Sequence, residues 1–526
     1  MSKVFGALLV LALIGAACGD DSDDDTSGAE EPGVTTTEAE GEPVVGGEAT
    51  ILQWSESASM DPARAVGSSG TDGMRMFSVY GALVAANPDT GEVERVMAET
   101  FEPDAAMTTW TLKLHPGITF TDGTPYNADA VRVNWERIKN PASRSPSLGV
   151  AGQIASMTAV DATTLEIKLS APNGQFDRSV SRNALNYIAS PQAIAAGTDL
   201  SATPIGAGPF TMRQWLRDDR MVLVKNPDYF DAPKPYLDQL TIRVLGNDEQ
   251  RVDTFKTGGA DGFYVTIDDQ IESATADGDG TFYGPQVGTA TTLMFNVKAP
   301  PFDDIRVRRA ITLGIDRDAL VEIASPGGEG ASNFTPEDSP FYTPDAELPA
   351  YDPEEAQRLL DEVNAERGQT LKVTILGTTN THNTSITNFM QTSLMQLDGI
   401  EVDVQRFDSP TFVPRILQGD FQVTTWGMPW TDPEPLLYSN LRGGLPSNLM
   451  RYDSATVNTA LDEARATTDQ DDRAEAYQRM FEALAEDLPF VPNSHANYGY
   501  VLSSDLRGAQ VYEDGTIRPD LLWWAQ

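Results

Sequence analysis

The chain has 526 residues, with 78 Asp and Glu against 37 Lys and Arg, a formal charge of −41 and one cysteine, Cys18. Such acidity works against nucleic-acid binding, whose affinity comes from Lys and Arg neutralising phosphates, and against a basic patch for anionic lipid. One cysteine excludes internal disulfides and thiolate-ligated zinc or iron–sulfur sites, and His115, His382 and His495 are not spaced as a helical zinc site, so neither metal nor cofactor is expected.

The first element is the apolar run "VFGALLVLALIGAA", Val4 to Ala17. Its 14 residues fall short of the roughly 20 that a helix needs to cross a bilayer core. With Lys3 ahead and Gly15, Ala16 and Ala17 at its end, it reads as the hydrophobic region of a signal peptide. Cys18 follows at once, and residues 19–48 then carry 11 Asp or Glu, no Lys or Arg, and many Ser, Thr, Gly and Pro. A segment so polar and like-charged cannot bury enough surface to offset its ordering entropy, and it reads as an extended tether. This start resembles a bacterial lipoprotein signal, with Gly15 where that pattern favours a Leu-like residue. The resemblance implies a signal peptide over 1–17, Cys18 as the lipid-bearing mature N-terminus and a disordered tether over 18–48. The competing reading is a thiol inside a leader that is cut further on.

Beyond residue 49 no second long apolar run occurs, and the remaining length suggests two or three lobes. "TWTLKLHPG" alternates Trp110, Leu112 and Leu114 with polar residues, and "TTLEIKLS" does the same with Leu165, Ile167 and Leu169. This period of two predicts half-buried strands, with His115 in a structural role at a strand end. "FTDGTPYNADAV" predicts a tight turn at Asp122-Gly123, then Asn127 capping a helix that carries Val131, Trp135 and Ile138. "PIGAGPF" places Gly206 and Gly208 where the backbone bends sharply into a strand, and "RMVLVKNPDYF" and "LDQLTIRVL" predict two more strands joined by a Pro-rich turn.

Helices dominate the second half. "DDIRVRRAITLGID" puts Val307, Ala310, Ile311 and Gly314 on one face with the arginines outward. "YDPEEAQRLLDEV" offers Asp352 as cap, Pro353 in the first turn, Glu355 as capping-box partner, and Ala356, Leu359, Leu360 and Val363 as the inner face. Two further stripes, Val457–Leu461–Ala464 and Tyr477–Met480–Phe481–Leu484, are core signals. Strands and helices intermix throughout, which predicts an α/β or α+β architecture.

Motifs of covalent chemistry are missing. There is no GxSxG elbow and no GxxxxGK[ST] loop, and "DGDGTF" from Asp277 has Phe282 at the turn-glycine position of a calcium loop, so a surface turn is expected. A secreted hydrolase using a carboxylate pair is the competing class of function.

Several segments, in order, resemble the extracellular solute-binding proteins of peptide/nickel-type ABC importers, family 5: "MDPARAVGSSG", "YGALVAANPDTGEVERVMAETF", "FTDGTPYNADAVRVNWERI", "PIGAGPFTMRQW", "VLVKNPDYF", "FNVKAPPFDDIRVRRAITLGIDRDALV" and "YDPEEAQRLLDEV". The resemblance implies a two-lobed periplasmic-binding-protein-like α/β fold with an extra subdomain in the first lobe. Lobe I would take residues 49–79, 204–291 and 501–526, the subdomain 80–203, and lobe II 292–500. It implies a non-enzymatic monomer that captures a solute, an oligopeptide or dipeptide first and an oligosaccharide or other solute as the alternative, and delivers it to a membrane permease. The protein would be lipid-anchored on the extracytoplasmic face of the cell membrane, or lie in the periplasm. It also implies ligand contacts from Val66, Gly67 and Ser68, and from "FQVTTWGMPWTDPEP" through Trp426, Trp430 and Asp432. In peptide-binding members an Asp of this region holds the peptide's amino group; counting without gaps from Phe421 puts Thr431 there, one residue before Asp432. The plainer readings are core packing for the two tryptophans and a turn for Asp432 before Pro433.

Overall fold

The computed structural model describes residues 41–526 apart from Val66, Ser68 and 288–290. The leader, Cys18 and the tether to residue 40 lie outside the described residues, as do two of the expected solute contacts, Val66 and Ser68. Three main sheets carry the described chain, and each grows from an alternating or continuously apolar stretch.

The largest, seven-stranded among the described residues, has the order Gly280–Tyr283, Gly499–Ser503, Gly262–Val265, Glu48–Gln53, Gln239–Val244, Arg220–Lys225 and Phe210–Leu216. Glu48–Gln53 is parallel to both neighbours, and the other pairs are antiparallel. The two strands expected around the Pro-rich turn pair here, Leu223 opposite Leu240. Before the first strand, Gly46 N donates to Tyr236 O at 2.8 Å and Gly47 O accepts from Asp238 N, so ordered backbone reaches into the last residues of the acidic segment.

An antiparallel sheet follows the order Ala98–Pro103, Thr109–Leu114, Thr164–Leu169 and Ile154–Ala159. Trp110, Leu112 and Leu114 point inward as their alternation predicts, with Ile167 and Leu165 opposite the first two. Helix Ala128–Lys139 packs on this sheet; Asn127 Oδ1 caps it by accepting from Ala130 N at 2.9 Å, and buried Trp135 donates its indole N–H to Leu185 O at 2.8 Å. His115 follows the strand end and stacks on Phe230 at 5.7 Å. The two sheets share one continuous core.

A third sheet, in the order Ile400–Phe407, Leu371–Thr378, Val423–Trp426, Thr292–Phe295 and Phe490–Pro492, has a core of its own. The helical stripes of the second half fill it, including Val457, Leu461, Ala464, Tyr477, Met480, Phe481 and Leu484. The chain passes between the cores through Gln286–Val287 and Ala496–Asn497, which pair antiparallel. This is the two-lobed arrangement that the sequence predicts.

Three local expectations change. Arg308, expected outward, is buried and donates to Phe302 O at 2.6 Å and to Asp487 O at 2.8 and 2.9 Å, stitching its helix to a neighbouring helix end. The capping box of helix Pro353–Arg367 is half made: Asp352 accepts from Glu355 N at 3.0 Å, but the Glu355 carboxylate pairs with Arg358 because Asp352 N already donates to Leu313 O. Gly206 and Gly208 serve close approach: a side chain at either would meet the backbone of residues 78–81, with Val79 O 2.1 Å from the first and Ser78 O 2.5 Å from the second.

Candidate functional site: the seam between the lobes

The helix Phe176–Ser181 is short, and its sequence divides it sharply. Phe176 and Val180 enter the first core, which turns Arg178 and Ser179 toward the second lobe. Ahead of it, Gly174 N donates to Arg465 O at 2.7 Å and Gln175 Nε2 donates to Thr467 O at 2.9 Å, so backbone from the two lobes meets directly.

From the other side comes the segment after strand Val423–Trp426. Asp432 and Glu434 are both buried, and each is held within its own lobe by an arginine. Arg473 Nη2 donates to both Asp432 oxygens at 2.6 and 2.8 Å, and Arg465 pairs with Glu434. Each acid then reaches across: Arg178 Nε lies 3.4 Å from Asp432 Oδ2, and Ser179 Oγ donates to Glu434 Oε1 at 3.2 Å. The third acid, Glu513, sits in the C-terminal hairpin closed by Val511 and Ile517, where it pairs with Arg178 Nη1 and stands 3.7 Å from Arg182.

Charge and burial set the protonation of this group. Burial alone would push the Asp432 carboxyl up, but the Arg178 and Arg473 guanidiniums and the hydrogen bonds from Arg473 and Glu434 N hold it below the usual range. Glu513 moves the other way, raised by burial and by nearby Asp432 against the pull of Arg178 and Arg182. Burial would lower Arg178, yet Asp432 and Glu513 outweigh it and keep it firmly cationic.

The expected solute contacts are spread around this seam. Trp426 is half-buried, stacked on Phe412 with ring centres 6.1 Å apart. Trp430 is 0 % exposed in the second core, edge-on to Phe490, and its indole N–H has no hydrogen-bond partner; nor has the buried Thr431 hydroxyl. Gly67 is buried with φ 91°, and a side chain there would meet Ala184 backbone atoms at 2.7 Å. Asp432 is the expected residue that lies at the lobe contact itself.

Arg178, Arg465, Arg473, Glu434 and Glu513 were not signalled by any local pattern. The one available hint was an arginine between Phe176 and Val180, residues at helical spacing that both had to face a core. Beside the seam, the first lobe holds a depression lined by Phe77, Val84, Tyr187, Arg182 and Asp514 among others. It encloses about 10 Å³, room for about one water, because Phe77, Val84 and Tyr187 belong to the first core, Arg182 faces Glu513 and Asp514 accepts from Thr516 N and Oγ1.

Comparison with known proteins agrees with this architecture. The family model described as bacterial extracellular solute-binding proteins, family 5 Middle, matches residues 92–447, more than half of the chain. A glutathione-binding protein, GsiB, of Pectobacterium atrosepticum is 26 % identical over 458 residues, covering 84 % of this chain and 88 % of its own. Among solved structures, the periplasmic binding protein DppA from Helicobacter pylori, in complex with the peptide STSA, superposes with a TM-score of 0.77 at 24 % identity, over 92 % of this chain and 99 % of its own. The protein AgaA from A. tumefaciens R10, in complex with agropinic acid, gives 0.77 at 22 % identity, over 91 % and 99 %.

Proposed function

This chain belongs to family 5 of the bacterial extracellular solute-binding proteins, the solute-capturing partners of ABC importers, and we propose that its solute is a short peptide or peptide-like zwitterion. The observation that carries this reading is the family match taken with a two-lobed fold whose separate cores meet at a seam. The solutes named for the relatives, glutathione, the peptide STSA and agropinic acid, support that reading. Capture then works by population shift: a solute that touches both lobes only when they are shut favours the shut form by its differential affinity. The motion would occur at the paired crossings Gln286–Val287 and Ala496–Asn497. On this reading the chain acts as a monomer and transforms nothing chemically.

The expected contacts follow in the same proposal. Gly67 with its neighbours Val66 and Ser68 would supply backbone and half-buried Trp426 would border the solute from the second lobe, whereas Trp430, in the second core, and Asp432, paired with Arg473 and facing Arg178, would support that surface from behind. The half-buried indole of Trp426 also favours a second reading, a sugar-derived solute stacked on its face. Mass spectrometry of the solute that co-purifies with the protein, followed by calorimetric titration, separates the two. A peptide or amino-acid conjugate binding one to one is expected, and binding of neutral oligosaccharides alone overturns the peptide reading.

Attachment completes the proposal. Cys18 would carry the lipid and the acidic segment would serve as tether on the extracytoplasmic face. Cys18→Ala is expected to leave the chain uncleaved or shed, read by membrane fractionation; a processed, membrane-bound variant contradicts it.

A further inference from the structure

The seam holds more contact than capture of a solute requires. Arg178 and Asp432 meet at 3.4 Å, Ser179 and Glu434 at 3.2 Å, and Gly174 and Arg465 at 2.7 Å, all protein to protein with no space for a solute between them. These contacts therefore form whenever the lobes shut, whatever the solute is. Their chemistry is also divided in a particular way. On opening, Arg178 keeps Glu513 within the first lobe, and Asp432 keeps Arg473 within the second. Neither half is left with a bare buried charge, so opening carries no prohibitive cost. Shutting adds one cross-lobe ion pair and the hydrogen bonds around it.

Gly174 is the steric counterpart. Its φ is not in the left-handed region, so backbone conformation does not explain the glycine. A side chain here would meet Thr467 O at 2.8 Å and Thr467 C at 3.0 Å across the seam, with Met107 Sδ at 2.8 Å on its own side. The methionine end can move aside, whereas the backbone carbonyl of the facing lobe cannot. Absence of a side chain at 174 is thus what lets the lobes touch.

We infer that residues 174–179 form a latch, with Arg178 as the positioning residue, which gives the shut form a solute-independent share of its stability and so sets the affinity for any solute. The inference rests on the lobe motion proposed above but not on the peptide reading. Apparent affinity scales with the fraction of protein in the competent form, so a weaker latch weakens every solute alike.

The test is a distance distribution between spin labels at two exposed positions, Val160→Cys on the first lobe and Met395→Cys on the second, in the full chain carrying Cys18→Ser. Without added solute, the parent is expected to show a shut component beside an open one. Arg178→Met and, independently, Gly174→Val are expected to lower the shut-to-open ratio by about tenfold, a typical coupling between states, at unchanged circular dichroism. Arg178→Lys keeps the charge and is expected to fall between Met and the parent. A parent that is wholly open, or two folded variants with the parent's distribution, overturns the latch, and equal behaviour of Lys and Met overturns its ionic basis. If Arg178→Met fails to fold, Gly174→Val decides, because it touches no ion pair. Adding glutathione as probe keeps the two proposals apart: closure of parent and variants by glutathione upholds solute capture whichever way the latch falls.

Discussion

On the outer face of helix Pro353–Arg367, Arg358 reaches Glu355 at 2.6 Å with its side chain 54 % exposed; at the seam, Arg473 reaches Asp432 at the same 2.6 Å with 1 % exposed. Distance does not tell these pairs apart, but water does. The helix pair is screened, and either partner can return to solvent when the other is lost. At the seam, desolvation has already been incurred on folding, so each charge depends on its partner and removal of one strands the other. A third guanidinium, Arg178, adds a partner that is present only when the lobes are together. The same side-chain chemistry is therefore surface decoration in one place and a conformational control in the other.

The comparison can be broken in order of size. The largest effect is expected from Arg473→Met, which leaves Asp432 buried with the longer contact to Arg178 as its one remaining ion pair; the loss should be about 3–5 kcal/mol by urea denaturation. The double change Arg473→Met with Asp432→Leu should recover most of it, since no charge is then stranded. If the double variant is no better than the single one, the cost lies in packing rather than charge. Next comes Trp430→Ala, expected to cost about 3 kcal/mol as a large buried side chain removed from the second core. A loss of solute affinity with an unchanged melting temperature would instead give Trp430 to the solute.

Acid sharpens the comparison with a defined sign. The Asp432 carboxyl is held below its ordinary value, so its contribution is full above the unfolded Asp range of about 4 and is lost as pH falls through the lowered value. The stability gap between parent and Asp432→Asn should accordingly be widest near neutrality and close toward pH 2; a gap that widens on acidification contradicts the assignment. Glu513 is raised, so its ionised form is the costly one at neutral pH. Glu513→Gln should thus destabilise less at pH 7 than Asp432→Asn. The smallest effect is expected from Arg358→Ala, with a melting temperature inside measurement scatter because the pair it breaks is exposed.

The fold was legible wherever one stretch of chain decides its own structure. Trp110, Leu112 and Leu114 alternate because one sheet face is buried, and Asn127 and Asp352 precede helices because their side chains satisfy first-turn amides. Glu355 and Arg308 read differently because the deciding partner was distant: Leu313 O took the amide that the capping box needed, and Asp487 O drew Arg308 inward. The seam was the least legible part for the same reason. Asp432 stood out beside its tryptophans, but its partners come from positions 178 and 473, and the third acid from 513. Four separate segments must fold before these charges meet, and no spacing in the sequence records that.

Capture of a peptide-like solute by closure of two lobes is tested most directly by small-angle X-ray scattering of the protein with and without saturating glutathione, a peptide of both charges. A smaller radius of gyration on binding is predicted, together with no change on adding a neutral disaccharide. Saturation by glutathione with an unaltered scattering profile, or compaction by the disaccharide alone, would contradict it.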